Sequence, residues 1–195
     1  ELEKIEMTVE RIAKIIRGLR AFSRNADQDP LITCEINSVV DETLELCRER
    51  FKKFGVRLTL VGFAEIASVE CRPAQISQVL LNLLNNSFDA IYKSQQPWIE
   101  ISLEHKEDQL MISVTDSGSG IPKEIASKMM NPFFTTKEVG RGTGLGLSIS
   151  KGIIEDHQGQ IFYDQISANT RFVVALPRAI DRRPRAGSAM TIDLL

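Results

Sequence analysis

Residues 78–89 read Gln78-Val79-Leu80-Leu81-Asn82-Leu83-Leu84-Asn85-Asn86-Ser87-Phe88-Asp89, and this stretch decides how the rest of the 195-residue chain is read. Gln78, Asn82, Asn85, Asn86 and Asp89 recur at steps of three and four, so they share one side of a helix. Ile76, Val79, Leu80, Leu83, Leu84, Phe88 and Ile91 fill the rest of its circumference. A solvated face normally carries Lys and Glu, and asparagine is a poorer helix former. Neutral amides on a helix otherwise built for burial point to a lined cavity that needs oxygen ligands and donors. The alternative is an amide-rich surface face. An asparagine carbonyl is a hard oxygen that suits Mg²⁺, which takes few protein ligands and keeps its other positions for water and phosphate. Pro73, placed as a first helical residue, sets the predicted start of this helix, which runs to about Lys93.

Downstream, Trp98 to His105 and Leu110 to Asp116 alternate as the strands of a hairpin that turns near Glu107-Asp108. Leu110, Ile112, Val114 and Asp116 fall on one face of the second strand, so a carboxylate is set on the core side. Burying it is costly unless it meets a specific donor. Gly118 and Gly120 follow and let the backbone approach a ligand closely. A purine amino group suits such an acceptor; an Asx-turn capping the loop is the simpler alternative. Further on, Gly140-Arg141-Gly142-Thr143-Gly144-Leu145-Gly146-Leu147 opens a predicted helix from about Leu145 to Asp156. Glycines ahead of a helix N-terminus expose N–H groups to phosphate, with Lys137 and Arg141 as flanking cations, although a flexible turn accounts for the same residues. The loop is neither a dinucleotide fingerprint nor a P-loop, since the third glycine of the one and the Gly-Lys-Ser/Thr of the other are missing.

Upstream, Leu31 to Ile36 reads as a short strand, and Ser38-Val39-Val40-Asp41 as a capping box opening a helix that Gly55 stops. Val56 to Gly62 and Ile66 to Cys71 are β-rich, as are Gln160 to Gln165 and Thr170 to Leu176. Residues 1–26 form an amphipathic pattern through Leu2, Ile5, Val9, Ile12, Ile16, Leu19 and Phe22, before a break at Asn25 to Pro30. The segment from Arg178 onward has no apolar period. Interleaved helices with antiparallel hairpins favour a two-layer α/β sandwich over a doubly wound parallel sheet.

Composition excludes several classes. Twenty-four Lys and Arg against 26 Asp and Glu give a net charge of −2, without the basic excess of a nucleic-acid binder. No apolar run reaches the roughly 20 residues that span a bilayer. Cys34, Cys47 and Cys71 are widely spaced and odd in number, which fits reduced core residues better than disulfides or zinc. His157 falls at a helix C-terminus and reads as structural, and His105 at a strand end as incidental.

Four motifs follow one another: Asn82-x-x-x-Asn86, Asp116-Ser117-Gly118-Ser119-Gly120, Asn131-Pro132-Phe133-Phe134-Thr135-Thr136-Lys137 and Gly142-Thr143-Gly144-Leu145-Gly146-Leu147. The series resembles the N, G1, F and G2 boxes of the GHKL (Bergerat-fold) ATP-binding domain in its sensor histidine kinase version, over about residues 32–177. Residues 1–26 resemble the second helix of the dimerisation and phosphotransfer hairpin, with 27–31 as linker and 178–195 as tail or linker. The resemblance implies an α+β two-layer α/β sandwich, its mixed and mainly antiparallel sheet packed on helices and preceded by a long N-terminal helix. It implies ATP and Mg²⁺ as ligands. Asn86 would coordinate the metal with Asn82 in the same pocket; Asp116 would accept from the adenine amino group, supported by Thr170; and Gly118 and Gly120 would shape the purine site. Asn131 to Leu147 would be a lid, in which Phe133 and Phe134 anchor the base and Gly142, Thr143, Gly144, Leu145, Gly146 and Leu147 cradle phosphates.

The implied function is transfer of the ATP γ-phosphoryl to a histidine preceding residue 1, then to the receiver domain of a response regulator. No catalytic residue is assigned within the chain. A cytoplasmic location of this part and a homodimer through the N-terminal hairpin go with that, and the seam from Ile5 to Phe22 is expected to self-associate weakly. Three positions depart from the family pattern: Asp89 replaces a common Lys, Gln158 a Gly within His-Gly-Gly, and Asn169 the Gly before Thr170. Lys137 or Arg141 is then the candidate phosphate cation. The competing readings are a GHKL-type ATPase module and an anti-sigma-like serine kinase or nucleotide sensor. Hydrolases of this fold typically place a glutamate base where this chain has Asn82, an amide that cannot take a proton from water.

Overall fold

The computed structural model describes residues 30–137 and 142–178. The expectations placed on residues 1–29, on Arg141 and on 179–195 lie outside the described residues. In chain order the elements are β1 (Ile32–Glu35), α1 (Ile36–Lys53), β2 (Arg57–Val61), β3 (Ser68–Cys71), α2 (Pro73–Ile91), β4 (Trp98–Lys106), β5 (Gln109–Asp116), α3 (Lys123–Ala126), α4 (Gly146–Asp156), β6 (Gln160–Tyr163) and β7 (Thr170–Pro177).

Five strands form one sheet in the order β2-β4-β5-β7-β6, in which only the β2–β4 pair is parallel. A separate antiparallel pair, β1 with β3, closes one end. The sequence-based expectation of a mixed, mainly antiparallel sheet on helices therefore holds. Alternation decides which face is covered: Ile99, Ile101 and Leu103 of β4, Leu110, Ile112 and Val114 of β5, and Phe172, Val174 and Leu176 of β7 point into one core. Over it lie α1, α2 and α4, with α2 packed between the other two helices.

The start of α1 is where local reading failed. Ser38 does not open the helix; the residue before its first turn is Glu35, in extended conformation and without a side-chain cap. The Ile36 N–H and the Asn37 side chain find tertiary partners instead. Ile36 N–H reaches Ala67 O at 2.8 Å, and the Asn37 amide reaches Phe63 O and Glu65 O, each at 3.2 Å. The helix starts three residues earlier than a Ser38 cap implies, with Ile36 completely buried, and a distant loop supplies the acceptors. The other end follows the local rule. Gly55 takes φ 65°, with Val56 N–H on Phe51 O and Gly55 N–H on Lys52 O, a Schellman stop.

His157 ties two helices. Its Nε2 accepts from Arg72 N–H at 3.0 Å, ahead of α2, and its Nδ1 lies 2.7 Å from Ile153 O at the end of α4. Because Nε2 accepts, Nδ1 carries the ring proton. The residue is structural, held by hydrogen bonds at both ring nitrogens.

Candidate functional site

The amide face of α2 is a cavity wall. Asn82, Asn85, Asn86 and Asp89 line a cleft of about 840 Å³, whereas Gln78 does not. Arg50 of α1 enters from one side; Thr135, Thr136 and Lys137, then Gly142, Thr143, Gly144, Gly146 and Leu147 close the other. The opposite face of α2 is the core, from Ile76 to Ile91.

A charge network runs along this wall. Lys137 Nζ donates to Asp89 Oδ2 at 2.8 Å and to Asn86 Oδ1 at 3.2 Å. Arg50 donates to Asp89 Oδ1 at 3.1 Å and to Asn85 Oδ1 at 2.9 Å, and its guanidinium carbon stands 3.9 Å from the Phe88 ring centre. Arg50 gave no signal in the sequence because it lies on another helix.

Asn82 acts as a brace. Its amide donates to Gly146 O and Ser150 Oγ, both at 3.2 Å, and so fixes the N-terminus of α4 against α2. The helix begins at Gly146, one residue later than expected, with buried Leu145 before it and Leu145 N–H on Thr143 Oγ1 at 3.4 Å. Gly144 has φ 68°, and a Cβ there would stand 2.4 Å from the Phe133 carbonyl carbon. Phe133 itself holds a positive φ of 65°. Phe133 is 63% exposed, so of the two only Phe134 packs on the core, while the Phe133 backbone runs against Gly144. That corrects the expectation that both rings anchor the segment.

Asp116 is 1% exposed and lies on the core face of β5, as alternation requires. Gly118 N–H donates to its Oδ1 at 2.8 Å, and the hydroxyls of Ser87 and Thr170 hydrogen-bond the carboxyl. The Asx-turn is therefore present, with the carboxyl held by three donors. Burial pushes the Asp116 pKa up; the Gly118, Ser87 and Thr170 bonds pull it back in part. Gly118 has to be glycine, because a Cβ would sit 2.7 Å from Asp116 Oδ1 and 2.8 Å from Thr170 Oγ1. The Asn169 side chain donates to Gly118 O at 3.2 Å, and Thr170 N–H reaches the same oxygen at 3.1 Å. Gly120, at φ 91°, would meet Tyr163 Oη, which accepts from Ile121 N–H at 2.8 Å.

Asp116, Gly118, Gly120 and Thr170 do not line the 840 Å³ cleft. They join it through α2, since Ser87 bonds Asp116 and the preceding residue, Asn86, faces the cleft. Ser87 was missed in the sequence although a signal was present. It falls on the buried stripe, at a position where its neighbours one turn earlier, Leu83 and Leu84, are leucines. A hydroxyl there asks for a partner.

Comparisons with known proteins agree with this geometry. Residues 71–180 match the family described as "Histidine kinase-, DNA gyrase B-, and HSP90-like ATPase". The sensor kinase CckA of Brucella abortus is 32% identical over 197 residues, which cover 94% of this chain and 21% of that protein. The nucleotide-free catalytic domain of the histidine kinase ThkA is 33% identical, with a TM-score of 0.69, over 77% of this chain and 97% of that one. ThkA in complex with the response regulator protein TrrA matches at 26% identity and a TM-score of 0.72, over 93% of this chain and 52% of the other. The chain spans about a fifth of the length of curated relatives such as CckA. With a family match over more than half its length and a site built on that stretch, the chain belongs to the histidine kinase-, DNA gyrase B- and HSP90-like ATPases.

Proposed function

We propose that this chain is the ATP-binding catalytic domain of a sensor histidine kinase, which presents the γ-phosphoryl of ATP to a histidine on a helical hairpin. The observation that carries the reading is the Asn86-Ser87 pair on α2. Ser87 holds the buried carboxyl of Asp116, and Asn86 faces a cleft bounded by the glycine-flanked N-terminus of α4. One helix thus sets the spacing between an acceptor for an exocyclic amino group and an anion-favouring helix end.

In this reading Asp116 accepts from the adenine amino group while Thr170 and Ser87 hold its carboxyl in place. The N–H groups at the start of α4 face the phosphates, and Asn82 keeps that helix end fixed. Asn86 suits a hard divalent cation on this structure's own terms, because its oxygen already accepts a cation, the Lys137 ammonium. Asp89 adds a carboxylate one turn on. Bound magnesium would supply charge neutralisation across the phosphates. The residues of this chain supply positioning and no proton transfer. At Asn82, where an ATPase needs a base, an amide is committed to Gly146 and Ser150. That favours phosphoryl transfer to a protein over hydrolysis or passive nucleotide sensing.

Helix-mediated dimerisation through residues 1–26 and delivery of the phosphoryl to a response regulator belong to the same proposal. The regulator bound to ThkA supports the latter by likeness. Calorimetry of ADP binding tests the core claim. Asp116→Asn should weaken binding by about 10–100-fold, the worth of one hydrogen bond to a charged group. Unchanged affinity would remove the adenine assignment.

A further inference from the structure

Building on the nucleotide reading above, we propose that Asp89 is a positioning residue that seats the Lys137 ammonium on Asn86 Oδ1, in the place a metal ion takes. Both carboxylate oxygens are in use, by cations from different parts of the fold. Oδ1 is held by Arg50 of α1 at 3.1 Å, and Oδ2 holds Lys137 at 2.8 Å. The Arg50 end is the fixed one. Its guanidinium is also bonded to Asn85 and stacked over the Phe88 ring, and Phe88 is 2% exposed. A planar fork held at three points orients the carboxylate it grips. Asp89 therefore offers Oδ2 in a set direction, toward the segment that carries Lys137.

From Asp89 the lysine reaches Asn86 Oδ1 at 3.2 Å. A divalent cation on that oxygen would lie about 2.1 Å from it. Two cations on one carbonyl oxygen repel strongly, so ammonium and metal exclude each other there. The ammonium is a placeholder. It keeps the Asn86 oxygen partnered when no metal is present, and it has to leave when one arrives. Asp89 then retains Lys137 beside the cleft, within reach of phosphate oxygens. The acid that replaces the common family lysine thus recruits a lysine from the other wall.

The test uses the nucleotide-free chain and Mn²⁺ alone as probe, followed by water-proton relaxation. Lys137→Met frees two oxygen-bearing side chains one turn apart and should tighten Mn²⁺ binding by about fivefold or more. Adding Asn86→Ala to that variant should abolish the gain, whereas Asp89→Asn alone should release the lysine and give part of it. Mn²⁺ affinity in Lys137→Met no tighter than in the parent overturns the proposal, and so does a gain that survives Asn86→Ala or an Asp89→Asn variant that shows none. Hydrogen exchange at the amides of residues 133–137 gives a readout independent of metal. Asp89→Asn and Lys137→Met should each speed it, and the double variant should do no more than the faster single. Unchanged exchange, or effects that add, would also refute the tether. ADP binding by the parent chain without metal separates the two proposals. Its absence sinks the nucleotide reading, whereas the Mn²⁺ and exchange results decide the role of Asp89.

Discussion

Asp116 shows how one side chain carries opposing demands. Its pKa is raised, chiefly by burial, above the value it has in the unfolded chain. A raised acid contributes stability that is fully present below its unfolded pKa and is lost as pH rises through the folded value. At pH 7 the ionised carboxyl therefore stabilises the fold less than a neutral group of the same shape. Asp116→Asn should be at least as stable as the parent near neutrality in urea denaturation, with its advantage shrinking on acidification. In the proposed adenine contact the ionised carboxyl is the stronger acceptor, so nucleotide binding is expected to run the other way. ADP affinity of the parent, measured by calorimetry at stepped pH, should begin to fall above the ordinary carboxylate range, near 4. A flat profile down to that range would mean that the carboxyl does not meet the base.

At the scale of elements, two glycines that both hold positive φ do different jobs. Gly55, φ 65°, ends α1 with open space around the position of a Cβ. Gly62, φ 81°, follows β2, and its Cβ would lie 2.1 Å from the Leu103 carbonyl oxygen of β4. Gly55→Ala should cost only the left-handed backbone penalty, about 1–2 kcal/mol. Gly62→Ala should cost clearly more, because the β2–β4 pairing has to part to admit the methyl. Urea midpoints of the two variants check this, and equal losses would count against the contact. The sequence showed Gly55 as a helix stop from its place after an apolar stripe. The approach of Gly62 to β4 depended on a parallel pairing between strands separated by a whole helix, for which no local pattern exists.

For the whole molecule, ligand binding and stability are linked. Mg·ADP at a hundred times its dissociation constant should raise stability by about 2.7 kcal/mol. For a domain of this size that is a rise of about 5–10 °C in Tm by differential scanning fluorimetry. The two histidines of the chain are poor phosphoryl acceptors. His157 is 3% exposed with both ring nitrogens engaged, and the ring nitrogens of His105 are buried on the core side of β4. Incubation with radiolabelled ATP should leave the isolated chain unlabelled, and robust label on either histidine would break the reading. Among the described residues no helix is long and apolar enough to cross a membrane.

Periodicity alone specified the elements, the layer architecture and the inward carboxylate, because burial imposes a period of two on strands and 3.6 on helices regardless of what covers them. It also specified that α2 has an amide face, since the composition of that face is local. Only the tertiary structure decided what those groups touch. Asn82 proved to be a brace, Phe133 to stay exposed while Phe134 packs, Glu35 rather than Ser38 to precede α1, and Asp89 to join Arg50 to Lys137. The side-chain hydrogen bonds made by Asn37, Asn82 and Asp89 join residues 26 to 68 apart in the sequence. Hydrogen bonds act over about 3 Å in space, and nothing in a linear pattern records which distant residues come that close.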